Sequence, residues 1–305
     1  MTRNAIVSAA FLLAAATSFA APATIPEMLG GGNIHHNLQR AEPQLKALNT
    51  VGAKMCRIPV SPGDYGLETG EPHPERLDKL ILLADQHGIE PILLFEYYTR
   101  WHESLQGSER WRTIGRAYAA RFAPDSDWLK SKGISGWGVR YYSAINEPTW
   151  KSNNPTPIPP GEYAAALEGL ADGVHSVDRN LHVNPGGWIE GSLRRGTHEY
   201  AKAVAPLFNN GKLHAVGIHR YWDIDHVPME GRYDWSLQSQ FEDVKRKAGI
   251  TADVRFYTDE MNFKKREVTE DEAARGFLTA LWDGLGVVGD DGQPGVDGDG
   301  DGLAG

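Results

Sequence analysis

Short apolar runs alternate with amphipathic segments along the chain from about residue 30 to residue 285. The runs are Gly32–His36, Met55–Val60, Glu90–Phe95, Gly138–Ile145, Leu181–Asn184, Leu213–His219 and Val254–Thr258. Their length and their β-branched, aromatic and leucine content predict strands. Between them, apolar residues recur three and four apart. Leu77, Leu80, Ile81 and Ala84 form one stripe, stopped by Gly88; Tyr163, Leu167, Leu170 and Val174 form another. Such stripes predict helices that bury one face. Trp111, Ile114, Tyr118 and Phe122 form an aromatic stripe of the same period, which reads as core rather than ligand surface. A further helix is predicted with Pro43 near its start and Gly52 past its end. The last helix opens on the capping box Thr269-Glu270-Asp271-Glu272 and runs to about Leu285.

Strand and helix in strict alternation predict an α/β chain around a parallel sheet. Seven such units in order point to a (β/α)8 TIM barrel, with a doubly wound open sheet as the alternative. No Gly-x-Gly-x-x-Gly follows the first strand, which weakens a dinucleotide reading. The eighth strand is doubtful or missing at the C-terminus. Where it is due, the chain turns to low complexity, ending in Asp297-Gly298-Asp299-Gly300-Asp301-Gly302. An incomplete barrel, an irregular strand and a fragment all stay open. Asp297, Asp299 and Asp301 resemble the opening of a calcium loop, but the acidic residue that such a loop wants at its twelfth position would fall past Gly305, and a solvated acidic tail is the simpler reading.

The first twenty residues differ from the rest. Arg3, the apolar stretch Ala5 to Ala16 and Ser18-Phe19-Ala20 before Ala21-Pro22 have the form of a cleavable export leader. The apolar run is too short to span a bilayer, and no cysteine follows it to carry a lipid. The expected organisation is a signal peptide at 1–20, a barrel at 21–286 and a Gly/Asp-rich tail at 287–305, with the protein secreted or periplasmic. Charge narrows the partners. With 31 basic and 40 acidic residues the net charge is −9, which argues against nucleic acid and anionic membrane and tolerates a neutral substrate. Cys56 is the single cysteine and sits in an apolar run, so no internal disulfide and no cysteine zinc site can form, and a buried thiol is expected.

Candidate chemistry gathers at strand ends. Asn146-Glu147-Pro148 follows the fourth strand and Glu260 follows the seventh. In a barrel these positions open on one face, where catalytic groups collect. Two carboxylates there are what glycoside hydrolysis requires: one protonates the leaving oxygen, the other attacks the anomeric carbon or activates water. Strand alternation separates Glu260 from Asp259, because Val254, Phe256, Thr258 and Glu260 share one face. Tyr97 after strand three, Trp150, Trp188 and Trp222 after strands four, five and six, and His36 after strand one are candidates for sugar contact. His35 stands beside His36, and a zinc site from His35, His36 and His102 is set aside.

Asn-Glu-Pro after strand four with a glutamate after strand seven resembles clan A of the glycoside hydrolases, retaining enzymes on (β/α)8 barrels; the detail is most similar to glycoside hydrolase family 39, then family 5. The likeness covers roughly residues 30–285. It implies that Glu147 is the acid/base and Glu260 the nucleophile, and that Asn146 binds the sugar's 2-hydroxyl. It implies that Arg57 supports the nucleophile, and that His219-Arg220-Tyr221 is the clan's His-x-Tyr, with Tyr221 bonded to Glu260. The clan's tryptophan at the end of strand eight has no counterpart in view. The reaction so implied needs no metal or cofactor. Glu147 must start protonated, Glu260 ionised, and the carboxyl groups must stand about 5–5.5 Å apart. The expected function is a secreted hydrolase of β-linked oligo- or polysaccharide. The alternative is an inactive or truncated barrel that only binds glycan.

Overall fold

The computed structural model describes residues 31–35, 37–50, 52–66, 71–96, 107–148, 158–189, 198–222 and 237–263. The leader, the tail and the segment due to hold an eighth strand lie outside them, as do His36, Tyr97, His102 and Trp150. Eight strands occur among the described residues: β1 (Gly31–Asn33), β2 (Met55–Val60), β3 (Glu90–Phe95), β4 (Tyr141–Ala144), β5 (His182–Pro185), β6 (Trp188–Ile189), β7 (Ala215–Trp222) and β8 (Arg255–Phe263). The helices are α1 (Leu38–Thr50), α2 (Asp78–Gln86), α3 (Ser108–Phe122), α4 (Asp127–Ser131), α5 (Pro160–His175), α6 (His198–Asn209) and α7 (Leu237–Ala248).

Every pairing is parallel and every neighbour is next in sequence. β1 to β5 form one sheet and β6 to β8 another. β5 and β6 are two parts of one strand, separated by Gly186-Gly187: β5 pairs back with β4, and β6 pairs forward with β7. β8 in turn comes close to β1, so the wall curls round on itself. The expected (β/α) barrel is what forms, with seven barrel strands among the described residues once β5 and β6 are joined.

The helices form where the apolar stripes predict them. Trp111, Ile114, Tyr118 and Phe122 on α3 are all fully buried, as core. Full burial of a side chain of this size contributes roughly 1.5–3 kcal/mol. α3 packs against α5 through glycines. A Cβ on Gly169 would stand 2.0 Å from the Ser108 carbonyl oxygen, and one on Gly173 2.1 Å from that of Arg112. Arg121 donates two hydrogen bonds to Asp78, at 2.7 and 2.6 Å, which ties α3 to α2. α1 begins five residues ahead of Pro43, because Asn37 caps it: the Asn37 side-chain oxygen accepts from the Gln39 N–H at 2.9 Å. Cys56 is buried, and desolvation pushes its thiol up to about 12, which leaves it unreactive.

Two expectations about strands change. β8 runs on to Phe263, so Glu260 lies within a strand rather than beyond one. The β7–β8 register also shifts once: Gly217 stands opposite Tyr257, whereas His219 stands opposite Glu260. One extra residue on β8 is a bulge, and it breaks the two-residue alternation counted from Val254 to Glu260. The position of Glu260 therefore follows from its register with His219.

Candidate active site

Few polar side chains are buried among the described residues, and three of them meet: Arg57, Glu147 and His219. Arg57 comes from β2, in register with Asn33 on β1. Its Nε donates to the Asn33 side-chain oxygen at 2.7 Å. Its Nη1 reaches the Asn146 side-chain oxygen at 3.4 Å and His219 Nε2 at 3.2 Å. His219 comes from β7 and is fully buried; its Nδ1 stands 2.6 Å from Glu147 Oε1. Glu147 is 5% exposed. Guanidinium, imidazole and carboxylate thus form one chain of hydrogen bonds across the barrel.

Their protonation follows from what each can donate. A guanidinium has donors only. His219 Nε2 must therefore accept from Arg57, and the ring proton sits on Nδ1, donated to Glu147 Oε1. The imidazole is neutral in this arrangement, and one of the two Glu147 oxygens is committed as an acceptor. A proton carried by Glu147 then resides on Oε2.

The backbone that presents Glu147 is unusual. Ile145 has φ 63° and Glu147 φ 47°, both in the left-handed region. A β-branched residue is rarely found there. Each such residue costs about 1–3 kcal/mol and persists where surrounding structure holds it. Here the holders are cross-strand bonds. Ile145 N–H donates to the Phe95 carbonyl, and Glu147 N–H to that of Gly187, both at 2.9 Å. The turn ends β4 and brings Glu147 back over the barrel toward His219.

The remaining sequence candidates divide. Asn146 joins the cluster through Arg57. Glu260 stands opposite His219 in the β7–β8 ladder, and Tyr221 and Trp222 follow on β7 opposite Asn262 and Phe263; of these only the backbone is described. Trp188 is a correction. Its indole is 1% exposed, and Nε1 donates to the Tyr163 hydroxyl of α5 at 2.9 Å, so the ring packs into the helix layer and presents no face to a sugar. Its period-two neighbours gave no sign of this, because the chain breaks at Gly186-Gly187. His35 is likewise occupied locally, its Nδ1 accepting from the Asn37 N–H at 3.0 Å. Asn33 was not singled out from the sequence: it was read inside a first strand running to His36, and its place level with Arg57 depends on how β1 and β2 pair.

Among the described residues, no three His, Cys, Asp or Glu side chains are grouped to hold a metal ion, and no helix is long and apolar enough to cross a membrane.

No protein-family model matches the sequence, and the search of curated proteins gave no match. Solved structures do resemble it in shape. A family 51 α-L-arabinofuranosidase from Bifidobacterium longum matches with TM-score 0.54 at 15% identity, over 80% of this chain and 58% of that one. A glucosidase from Croceicoccus marinus matches with TM-score 0.54 at 12% identity, over 87% of this chain and 63% of that one. An endo-β-1,4-glucanase from Xanthomonas axonopodis pv. citri, bearing three substitutions, matches with TM-score 0.52 at 16% identity, over 88% and 96%. The chain thus spans about three fifths of the first two and nearly all of the third. At these identities the likeness is one of fold: this chain has the TIM-barrel architecture of those glycosidases.

Proposed function

We propose that this protein is a retaining glycoside hydrolase that cleaves β-linked oligo- or polysaccharide, exported to the periplasm or the medium on its N-terminal leader. One observation carries the reading: the buried chain from Arg57 through His219 to Glu147, with Glu260 level with His219 on the adjoining strand. Supporting it, the fold is one that arabinofuranosidases, glucosidases and glucanases use. In the finer detail of the motifs, family 39 and then family 5 of the clan are the nearest forms.

The roles follow from the chemistry. Glu147 enters the cycle protonated on Oε2, because Oε1 accepts from His219. The Glu260 carboxylate attacks the anomeric carbon as the bond to the leaving oxygen breaks, and the Glu147 proton passes to that oxygen. A water then attacks the same carbon. Glu147 takes its proton, the bond to Glu260 breaks, and the sugar leaves with its starting configuration. Arg57 contributes a buried positive charge beside Asn146, which holds the 2-hydroxyl. Tyr221 steadies Glu260. Tyr97, Trp150, Trp222 and His36 are the proposed sugar contacts. The two steps use carboxyl groups alone.

The test is turnover of a panel of aryl β-glycosides and β-linked polysaccharides by the parent chain, beside Glu260→Ala and Glu147→Gln. Activity in the parent that falls by several orders of magnitude in Glu260→Ala supports the hydrolase and its nucleophile. A folded parent that binds glycan and turns over none of the panel overturns it in favour of a binding barrel.

A further inference from the structure

Gly187 touches the two central groups of the site at once. Its carbonyl oxygen accepts the Glu147 N–H at 2.9 Å, holding the residue that sits at φ 47°. Its Cα faces the His219 ring: a Cβ at Gly187 would stand 1.7 Å from His219 Nε2 and 2.1 Å from Cδ2. Real Cβ atoms are never that close, so any side chain at residue 187 must drive the imidazole away. Nε2 is the atom that accepts from Arg57 at 3.2 Å, and the same rigid ring carries Nδ1, 2.6 Å from Glu147. A displaced ring loses both bonds.

Gly187 itself is not free to yield. Its neighbour Gly186 donates to the Ala144 carbonyl at 2.5 Å, and a Cβ there would lie 2.5 Å from the Ile145 carbonyl oxygen. On the other side Trp188 is pinned to Tyr163 at 2.9 Å. The strand is thus clamped on both sides of residue 187, and the His219 ring is the group that must move.

We propose that Gly187 is a positioning residue: the absence of a side chain there seats the His219 ring between Arg57 and Glu147, and so fixes which Glu147 oxygen carries the transferable proton. The inference rests on the hydrolase reading for its kinetic part and on geometry alone for the rest.

The experiment is a double-mutant cycle of Gly187→Ala and His219→Ala in the full chain, read by kinetics and by 15N chemical shifts of the histidine rings. Gly187→Ala alone should lower kcat by roughly 100-fold, the low end of what a misplaced acid/base loses, with KM nearly unchanged. In the His219→Ala background the space is vacant, so the same change should cost less than about threefold, since residues in contact do not add. An additive double mutant overturns the proposal. If Gly187→Ala fails to fold, the double mutant should recover folding; its failure to do so also overturns the proposal, because the clash would then lie elsewhere. If the parent shows no turnover, the hydrolase reading falls but this inference is still decided: Gly187→Ala must move the His219 Nε2 signal away from its hydrogen-bonded position, and an unchanged signal refutes it.

Discussion

Both ends of the barrel hold histidine, buried at the mouth and half-buried at the floor, and they use it in opposite ways. At the mouth, His219 stands between the Arg57 guanidinium and the Glu147 carboxyl group, each ring nitrogen taken by a side chain. At the floor, where the strands begin, His175, His182 and His214 pack on one another with ring centroids 5.5 Å and 4.8 Å apart about His214. His182 also stacks on Tyr141 at 5.1 Å. The floor rings bond to backbone instead. His175 Nε2 lies 3.0 Å from the Leu181 carbonyl oxygen, and His214 Nδ1 accepts from the Val183 N–H at 3.1 Å. The charged groups around them, the Glu90–Arg140 pair with Asp172 and Arg179, lie at the periphery. Desolvation therefore dominates, and all three floor histidines are held below their ordinary value. A ring held by side chains at both nitrogens is fixed in one tautomer and can steer a proton; rings stacked on one another and bonded to backbone only hold strands together.

The largest effect that separates the two ends is expected at Glu147. Glu147→Gln removes the transferable proton and should lower kcat on poor leaving groups by about 10²–10⁴-fold while leaving thermal stability close to the parent. A stability loss that matches the activity loss would erase the distinction between a working mouth and a holding floor.

Next in size is the helix layer that surrounds both ends. Gly173→Leu places a side chain where even a Cβ lies 2.1 Å from the Arg112 carbonyl oxygen. Overpacking of this kind costs about 1–3 kcal/mol. Urea denaturation should show that loss, with activity per folded molecule unchanged. Trp188→Phe should cost about 1 kcal/mol, the worth of its hydrogen bond to Tyr163, and leave KM for any substrate as it was. A several-fold rise in KM would return Trp188 to the sugar-binding surface.

The smallest effect, and the sharpest test of the floor, is its pH dependence. Folded-state values below 6.5 mean that the unfolded chain takes up protons first as pH falls. The stability owed to neutral histidines is fully present above about pH 6.5 and is lost progressively below it, toward the lower folded-state values. The urea midpoint should therefore drop between about pH 7.5 and about pH 5.5, and His182→Gln should flatten that slope. A midpoint that rises on acidification would contradict the assignment.

The alternation of strand and helix was legible because it depends on local periodicity, and the Trp111 to Phe122 stripe appears as the buried face it predicts. Arg57 and His219 were singled out through the resemblance to the clan's motifs, whereas Glu147 was legible from its place directly after strand four. The bulge opposite His219 was not, since it depends on how two distant segments pair. Gly187 was invisible for the same reason: its importance is a 1.7 Å gap to a side chain 32 residues further on, and nothing in its neighbours announces it. Trp188 misled because a tryptophan after a strand has the same sequence look whether it faces the mouth or a helix.

In the proposed reaction Glu147 and Glu260 share one catalytic cycle. The decisive experiment incubates the protein with an activated 2-deoxy-2-fluoro β-glycoside, which slows the second step, and locates the trapped sugar by peptide mass spectrometry. The expected result is a covalent adduct on Glu260, formed more slowly in His219→Ala and released when acceptor sugar is added. An adduct on another residue, or turnover whose first product has inverted configuration, would contradict it.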